Sequence, residues 1–121
     1  MKRIDTGKRG EELARDFLIK RGFRILDANY RCTEGEIDII SQYKDCLVFT
    51  EVRTKTSQQF GSPEESITYT KKRRLITTAQ HYLQNHGNQL PLCRIDFIAV
   101  ELDGKGKLSR IELIENAVDE N

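Results

Sequence analysis

The stretch from Gly35 to Lys55 places charged side chains inside two strands that otherwise have the sequence of a protein core. It reads GEIDIISQYKDCLVFTEVRTK and alternates with a period of two on either side of Tyr43–Cys46, which predicts a β-hairpin. One face is predicted to carry the aliphatic residues Ile37, Ile39, Val48 and Val52. The other is predicted to carry Glu36, Asp38, Glu51 and Arg53, followed toward the turn by Ile40 and Phe49.

Two carboxylates are expected to meet across this hairpin. If its centre lies between Lys44 and Asp45, Asp38 falls directly opposite Glu51. Paired side chains of this kind have Cβ atoms about 5 Å apart, and like charges there destabilise a sheet. The pair therefore needs a divalent cation or a basic side chain nearby. An ordinary solvated polar face is the alternative, but the acids interrupt apolar strands, so we favour a metal site.

The whole chain has the composition of one domain spanning residues 1–121. Its net charge of +1 conceals an uninterrupted KKRR run at 71–74. Three cysteines without CxxC spacing indicate reduced thiols in a cytoplasmic protein, and argue against a disulfide framework or a zinc site. No apolar run approaches the roughly 20 residues of a membrane span, so no membrane partner is expected.

The first helix is predicted over residues 7–21, ending at Gly22, with a stripe of Leu13, Ala14, Phe17 and Leu18. Glu11 lies at the edge of that stripe and can reach a site, although a carboxylate early in a helix is also favoured by the helix dipole. Further strands are predicted over residues 23–30, 94–102 and 108–114. Residues 56–61 are expected to form a loop able to close over a ligand, and residues 62–65 to start a helical turn.

A second long helix is predicted from Lys71 to His86, capped by Thr70. Lys71, Lys72, Arg73 and Arg74 form its first turn, either as a solvated basic run or as phosphate contacts. Lys71 is expected nearest the acids, with Arg73 and Arg74 on the far side. The histidines of this helix, His81 and His86, are interpreted as ordinary surface or boundary residues. Arg94 and Asp96 are interpreted as a structural ion pair.

Phosphodiester hydrolysis is the chemistry that suits this set of residues best. Two or three carboxylates bind Mg²⁺ or Mn²⁺, which prefer oxygen ligands. Such an ion polarises the scissile phosphate and helps to generate hydroxide, while a neighbouring lysine or arginine stabilises developing charge.

An ordered set of motifs also resembles a known family. GKRGEELARDFL, the N-x-R at Asn29, GEIDII, LVFTEVRTK, FGSPEESIT and CRIDFIAV are similar to the YraN-like uncharacterised protein family 0102, over roughly Gly7 to Ala117. That family is identified as a member of the PD-(D/E)xK nuclease superfamily, which resembles Holliday-junction resolvases. The resemblance implies an α/β fold with a restriction-endonuclease-like αβββαβ core, in which a mixed β-sheet is flanked by helices.

The resemblance also implies roles for individual residues. Glu11, Asp38 and Glu51 match the metal-binding acids, and Glu36 belongs to the GEID motif, where it either ligates or supports the ligands. Arg53 stands where the superfamily has a lysine, and arginine cannot transfer a proton because it does not deprotonate. Lys55, one alternation further on, is a candidate substitute. Lys71 matches a basic residue at the start of the second helix.

Three functions follow from these residues. The first is a Mg²⁺- or Mn²⁺-dependent endonuclease acting on DNA, branched or single-stranded, with a resolvase-like homodimer left open. The second is a non-catalytic nucleic-acid-binding module that keeps the nuclease fold. The third and weakest is an interaction protein whose acidic C-terminal segment recruits a basic partner.

Overall fold

The computed structural model describes residues 5–56, 61–87 and 92–117, so most of the predicted closing loop lies outside the described residues. The α-helices are α1 (Thr6–Lys20) and α2 (Tyr69–His86). The strands are β1 (Arg24–Cys32), β2 (Gly35–Tyr43), β3 (Cys46–Thr56), β4 (Leu92–Leu102) and β5 (Leu108–Ile114). A short 3-10 turn at Pro63–Ser66 precedes α2.

The five strands form one mixed sheet in the order β1-β2-β3-β4-β5. β3 and β4 are parallel, and the other neighbouring strands are antiparallel. A parallel pair needs a crossover connection, and α2 lies in the connection between β3 and β4. The chain therefore has the expected α/β architecture, with an αβββαβ order extended by β5.

The two helices cover opposite faces of the sheet. α1 packs Ala14 and Leu18 into a core cluster that includes Ile39 of β2. α2 packs Leu75 and Ile76 into a second cluster with the next residue of β2, Ile40. Successive side chains of a strand point to opposite faces, so each helix has its own apolar layer.

The alternation predicted for β2 is wrong at one position. Ile37 packs in the α2 cluster with Ile40, not with Ile39 in the α1 cluster. The change of face occurs around Asp38, where the neighbouring strand has Asn29 in a left-handed conformation with φ of 54°. Asn29 lies between Ala28, which pairs with Ile39, and Tyr30, which pairs with Ile37.

Helix α2 begins earlier than the sequence predicts. Thr68, not Thr70, is the capping residue, and its hydroxyl accepts a hydrogen bond from the Lys71 backbone N–H at 3.2 Å. The basic run consequently starts at the third residue of the helix. The end of the helix agrees with the prediction, because Gly87 follows His86 with a positive φ of 71°.

Candidate active site

The hairpin of β2 and β3 has the predicted register. Its antiparallel pairs run from Tyr43 opposite Cys46 to Ile39 opposite Thr50. One residue beyond, Oδ2 of Asp38 accepts a hydrogen bond from the backbone N–H of Val52 at 2.8 Å. Just beyond the last paired residues, the side chain of Asp38 thus accepts the hydrogen bond of a β3 backbone N–H in place of a backbone carbonyl of β2. This contact holds the carboxyl beside Glu51.

Helix α1 brings a third acid to the same place. Gly10 lies directly on β3, since a Cβ built on it would be 1.8 Å from Oγ1 of Thr54. The next residue, Glu11, is half-buried, and its Oε1 has no hydrogen-bond partner among the described residues. A buried acceptor without a partner costs free energy unless a donor or a cation satisfies it.

An open cleft of about 880 Å³ contains all three acids, Glu11, Asp38 and Glu51. Arg53 and Lys71 also line the cleft, so groups from α1, β2, β3 and α2 converge there.

Glu36, the other acid of the GEID motif, lines the cleft from an exposed position. Its Oε2 lies 3.1 Å from Nε of Arg31. This places Glu36 at the rim of the cleft, paired with a surface arginine.

Burial makes the acids difficult to ionise together. Burial raises the pKa of Asp38 well above its ordinary value, and the hydrogen bond and the charge of Glu51 raise it further. Burial also raises the pKa of Glu11, with Asp38 and Glu36 adding to the effect and Arg15 opposing it. Carboxylates that share a site in this way retain protons until a positive charge enters.

The charge of the neighbouring bases offsets the acids only in part. Nη2 of Arg53 lies 3.4 Å from Oε2 of Glu51, whereas Nε of Arg53 is buried without a partner among the described residues. Burial lowers the pKa of Lys71, as does nearby Arg53, while Glu51 opposes the shift. Lys71 therefore lies within electrostatic range of both groups.

The other predicted basic residues occupy different positions. Arg74 lines the cleft, and its predicted place on the far side of α2 is wrong, because one turn of helix aligns it with Lys71. Arg73 is exposed and Lys72 is half-buried on the same helix. On β3 the lining of the cleft extends to Thr54, so Lys55 lies just beyond it. Arg53 and Lys71 are thus the cations beside the acids.

The donor chemistry of the three acids suits a hard divalent cation, although in the described part of the chain their carboxyls do not each place an oxygen within 4.8 Å of the other two. Three carboxyls lie in one cleft, one of their buried oxygens lacks a partner among the described residues, and the raised pKa of Asp38, caused by burial and by Glu51, means that positive charge is favoured there. Carboxylate oxygens are the donors that Mg²⁺ and Mn²⁺ prefer. Glu11, Asp38 and Glu51 are therefore the candidate ligands for such an ion.

The sequence interpretation missed a second group of potential ligands. Cys32, Glu34 and His81 each place one donor atom within 4.8 Å of the other two. Cys32 and Glu34 line the rim of the cleft. Their close spacing in a hairpin turn is visible in the sequence, but the nearness of His81 depends on how α2 packs against that turn.

The predicted pair of Arg94 and Asp96 is structural, as expected. Nε of Arg94 donates to both oxygens of Asp96 at 3.0 and 3.1 Å, and the backbone N–H of Asn116 donates to the same carboxylate at 2.8 Å. Asp96 is completely buried. The backbone N–H and the arginine offset only part of this burial, which still raises the pKa of Asp96.

Comparisons with known sequences place the chain among close relatives. The profile of the uncharacterised protein family UPF0102 matches residues 10–100. A UPF0102 protein of Pelotomaculum thermopropionicum is 45% identical over 111 residues, covering 92% of both chains. One of Dehalococcoides mccartyi is 45% identical over 118 residues, covering 98% of this chain and 96% of the relative. In the described part of the chain, no helix is long and apolar enough to cross a membrane.

Proposed function

The chain belongs to the uncharacterised protein family UPF0102, and from its acidic cleft we propose a divalent-metal-dependent endonuclease that hydrolyses phosphodiester bonds of DNA. The convergence of three carboxyls with Arg53 and Lys71 in one open cleft carries this proposal. Branched or single-stranded DNA is the proposed substrate class, because cations that contact phosphates recognise backbone shape without reading base sequence.

Each of the three acids would contribute an oxygen ligand to the ion. Asp38 is fixed by the Val52 N–H, and Glu51 by its contact with Arg53, so both present oxygens from rigid strands. Glu11 adds the oxygen that otherwise lacks a partner among the described residues. A bound Mg²⁺ or Mn²⁺ would polarise the scissile phosphate and lower the pKa of attacking water.

Arg53 and Lys71 are proposed to bind the phosphate itself. Arg53 donates hydrogen bonds to phosphate oxygens and stabilises negative charge, but it does not remove a proton from water. Lys71 adds a second cation from the opposite wall of the cleft, and Arg74 extends the positive surface along α2. DNA would thus pass the acids with its backbone held between β3 and the start of α2.

One observation favours a second function, a nucleic-acid-binding module without catalysis. An arginine occupies the position at which the resembling nucleases have a lysine. In the structure Arg53 also forms an ion pair with Glu51, a proposed metal ligand. An arginine that neutralises this acid permanently would leave a phosphate-binding cleft without a metal.

A cleavage assay on a panel of labelled DNAs separates the two functions. Duplex, single strand, flap and four-way junction would be incubated with Mg²⁺ or Mn²⁺ and the wild-type protein, Asp38→Asn, Glu51→Gln or Asp45→Asn. Asp45 lies exposed in the hairpin turn and serves as the matched control. The nuclease proposal requires cleavage by the wild type and Asp45→Asn that is lost in both site variants, which also excludes a contaminating enzyme.

The opposite result supports the binding module. In that case no DNA of the panel is cut in either metal, while binding persists in both site variants and weakens with salt. Metal-dependent stabilisation of the wild type, measured separately, distinguishes an inactive metal site from a cleft that binds no ion.

A further inference from the structure

Cys32, Glu34 and His81 form a compact group on the rim of the cleft. Cys32 ends β1, Glu34 lies in the turn to β2, and His81 comes from α2. One donor atom from each lies within 4.8 Å of the other two. A thiolate, an imidazole and a carboxylate are the donors that bind zinc in proteins.

The hairpin turn is held against α2 by a close contact. Gly35 has a φ of 155°, and a Cβ at this residue would lie 2.9 Å from Oγ1 of Thr78. A side chain at this position would push the turn away from the helix. Glycine therefore permits the approach that brings Cys32 and Glu34 to His81.

The ring of His81 is oriented by a second contact. Its Nδ1 and the hydroxyl of Tyr30 are 2.5 Å apart. Metal-binding histidines usually donate one ring N–H to an oxygen while the other nitrogen binds the ion, and the partner fixes the tautomer. In the tautomer in which Nδ1 carries the proton and donates to Tyr30, Nε2 is available as a ligand.

The thiol and the carboxyl already interact without an ion. Sγ of Cys32 and a carboxylate oxygen of Glu34 lie within 4.8 Å of each other, and the thiol donates a hydrogen bond to the carboxylate. An ion that binds both groups replaces this proton, since the thiolate is the ligand form. The group is therefore arranged for exchange of a proton for a metal.

We propose that Cys32, Glu34 and His81 bind one zinc ion at the rim of the cleft, in a site distinct from the three carboxyls. The thiolate and imidazole select a softer ion than the all-oxygen set of Glu11, Asp38 and Glu51. Three protein ligands leave a fourth position of the tetrahedron for water or a phosphate oxygen. Binding releases the Cys32 proton to solvent.

Cobalt provides a spectroscopic probe of this site. Metal-free wild-type protein, kept reduced, would be titrated with Co²⁺ and followed by absorption. We expect one equivalent to produce the near-ultraviolet thiolate-to-cobalt charge-transfer band with visible bands of tetrahedral Co²⁺, and one equivalent of Zn²⁺ to abolish them. Asp38→Asn is expected to leave these bands unchanged, because the carboxyl set contributes no sulfur.

Matched variants assign the ligands. Cys93→Ser alters an exposed cysteine outside the group and should retain the band, whereas Cys32→Ser should remove it. Tyr30→Phe keeps the ligands but loses the partner of Nδ1, and it should weaken affinity about 10- to 100-fold. Absence of the band in wild-type protein at excess Co²⁺, or its persistence in folded Cys32→Ser, would overturn the proposal.

Discussion

Replacement of Asp38 by asparagine is expected to stabilise the metal-free protein. Asparagine has nearly the same shape, its oxygen can accept the Val52 N–H, and its amide can donate to Glu51 without a shared proton. The substitution removes a buried acid whose ionisation is opposed by burial and by a neighbouring carboxyl.

The magnitude follows from the pKa of this acid. Burial and Glu51 raise the pKa of Asp38 from 3.8 to about 8. One pKa unit corresponds to about 1.4 kcal/mol, so keeping the acid protonated at pH 7 lowers the free energy of unfolding by about 4 kcal/mol in a rigid site. Relaxation of the site around the charge reduces this figure, and we expect a gain of about 2–4 kcal/mol for Asp38→Asn.

The stability gained by Asp38→Asn should change with pH in one direction. The native pKa is the higher one, so folding takes up a proton between about pH 4 and pH 8. The stability that Asp38 contributes is fully present below pH 4 and is lost as the pH rises toward 8. The difference between Asp38→Asn and wild type should consequently be small at pH 4 and increase toward pH 8.

Urea unfolding at several pH values measures this difference. With a slope near 1.5 kcal/mol per molar urea, a gain of 3 kcal/mol moves the midpoint by about 2 M. The exposed control Asp45→Asn should change stability by less than about 0.5 kcal/mol at every pH.

Manganese should then reverse the order of stability. Ion at about 1,000 times its dissociation constant stabilises the wild type by about 4.1 kcal/mol, which exceeds the expected gain of about 2–4 kcal/mol, whereas Asp38→Asn lacks a charged ligand. A folded Asp38→Asn that is less stable than wild type at pH 8 in metal-free buffer would refute the reasoning. It would mean that Asp38 is already ionised and held by Arg53 or Lys71.

Three further substitutions test other parts of the structure. Gly10→Ala should destabilise the protein by about 1–3 kcal/mol and weaken its stabilisation by Mn²⁺, because the new Cβ displaces α1 from β3. Gly7→Ala is the control, because a Cβ at Gly7 has ordinary contacts. Equal effects of the two substitutions in thermal melts would contradict the close contact at Gly10. Arg94→Met should cost about 3–5 kcal/mol in urea unfolding by leaving a buried carboxylate unpaired, and a cost below 1 kcal/mol would mean that backbone donors suffice. Lys71→Gln should weaken DNA binding about tenfold and reduce the slope of log affinity against log salt concentration by about one. Replacement of the exposed Arg73 by glutamine should have a smaller effect. Fluorescence anisotropy at several salt concentrations measures both.

The parts of the structure that depend on neighbouring residues were predictable from the sequence. The turn at Lys44–Asp45 fixed the register of β2 and β3, and with it the nearness of Asp38 to Glu51. The stripe of α1 placed Glu11 at the boundary of the core for the same reason, since a helix period of 3.6 residues decides which side chains face inward.

Features that depend on packing between distant segments were not predictable. Arg74 lies one turn from Lys71, but which face of α2 lines the cleft depends on how the helix packs against the sheet. Ile37 changes face beside a left-handed residue on another strand. His81 meets Cys32 only through the approach of the β1–β2 turn to α2, and no spacing within either segment indicates it.

The parallel pairing of β3 with β4 has a consequence for synthesis on the ribosome. The described residues that line the acidic cleft lie between Gly7 and Leu75, and all of them are synthesised before β4. Until β4 is translated, the edge of β3 that pairs with it stays open. β3 is apolar and carries the buried residues Val48, Phe49 and Val52. Unpaired strand edges promote aggregation, so a chain released from the ribosome after α2 should aggregate more readily than a chain released after β5.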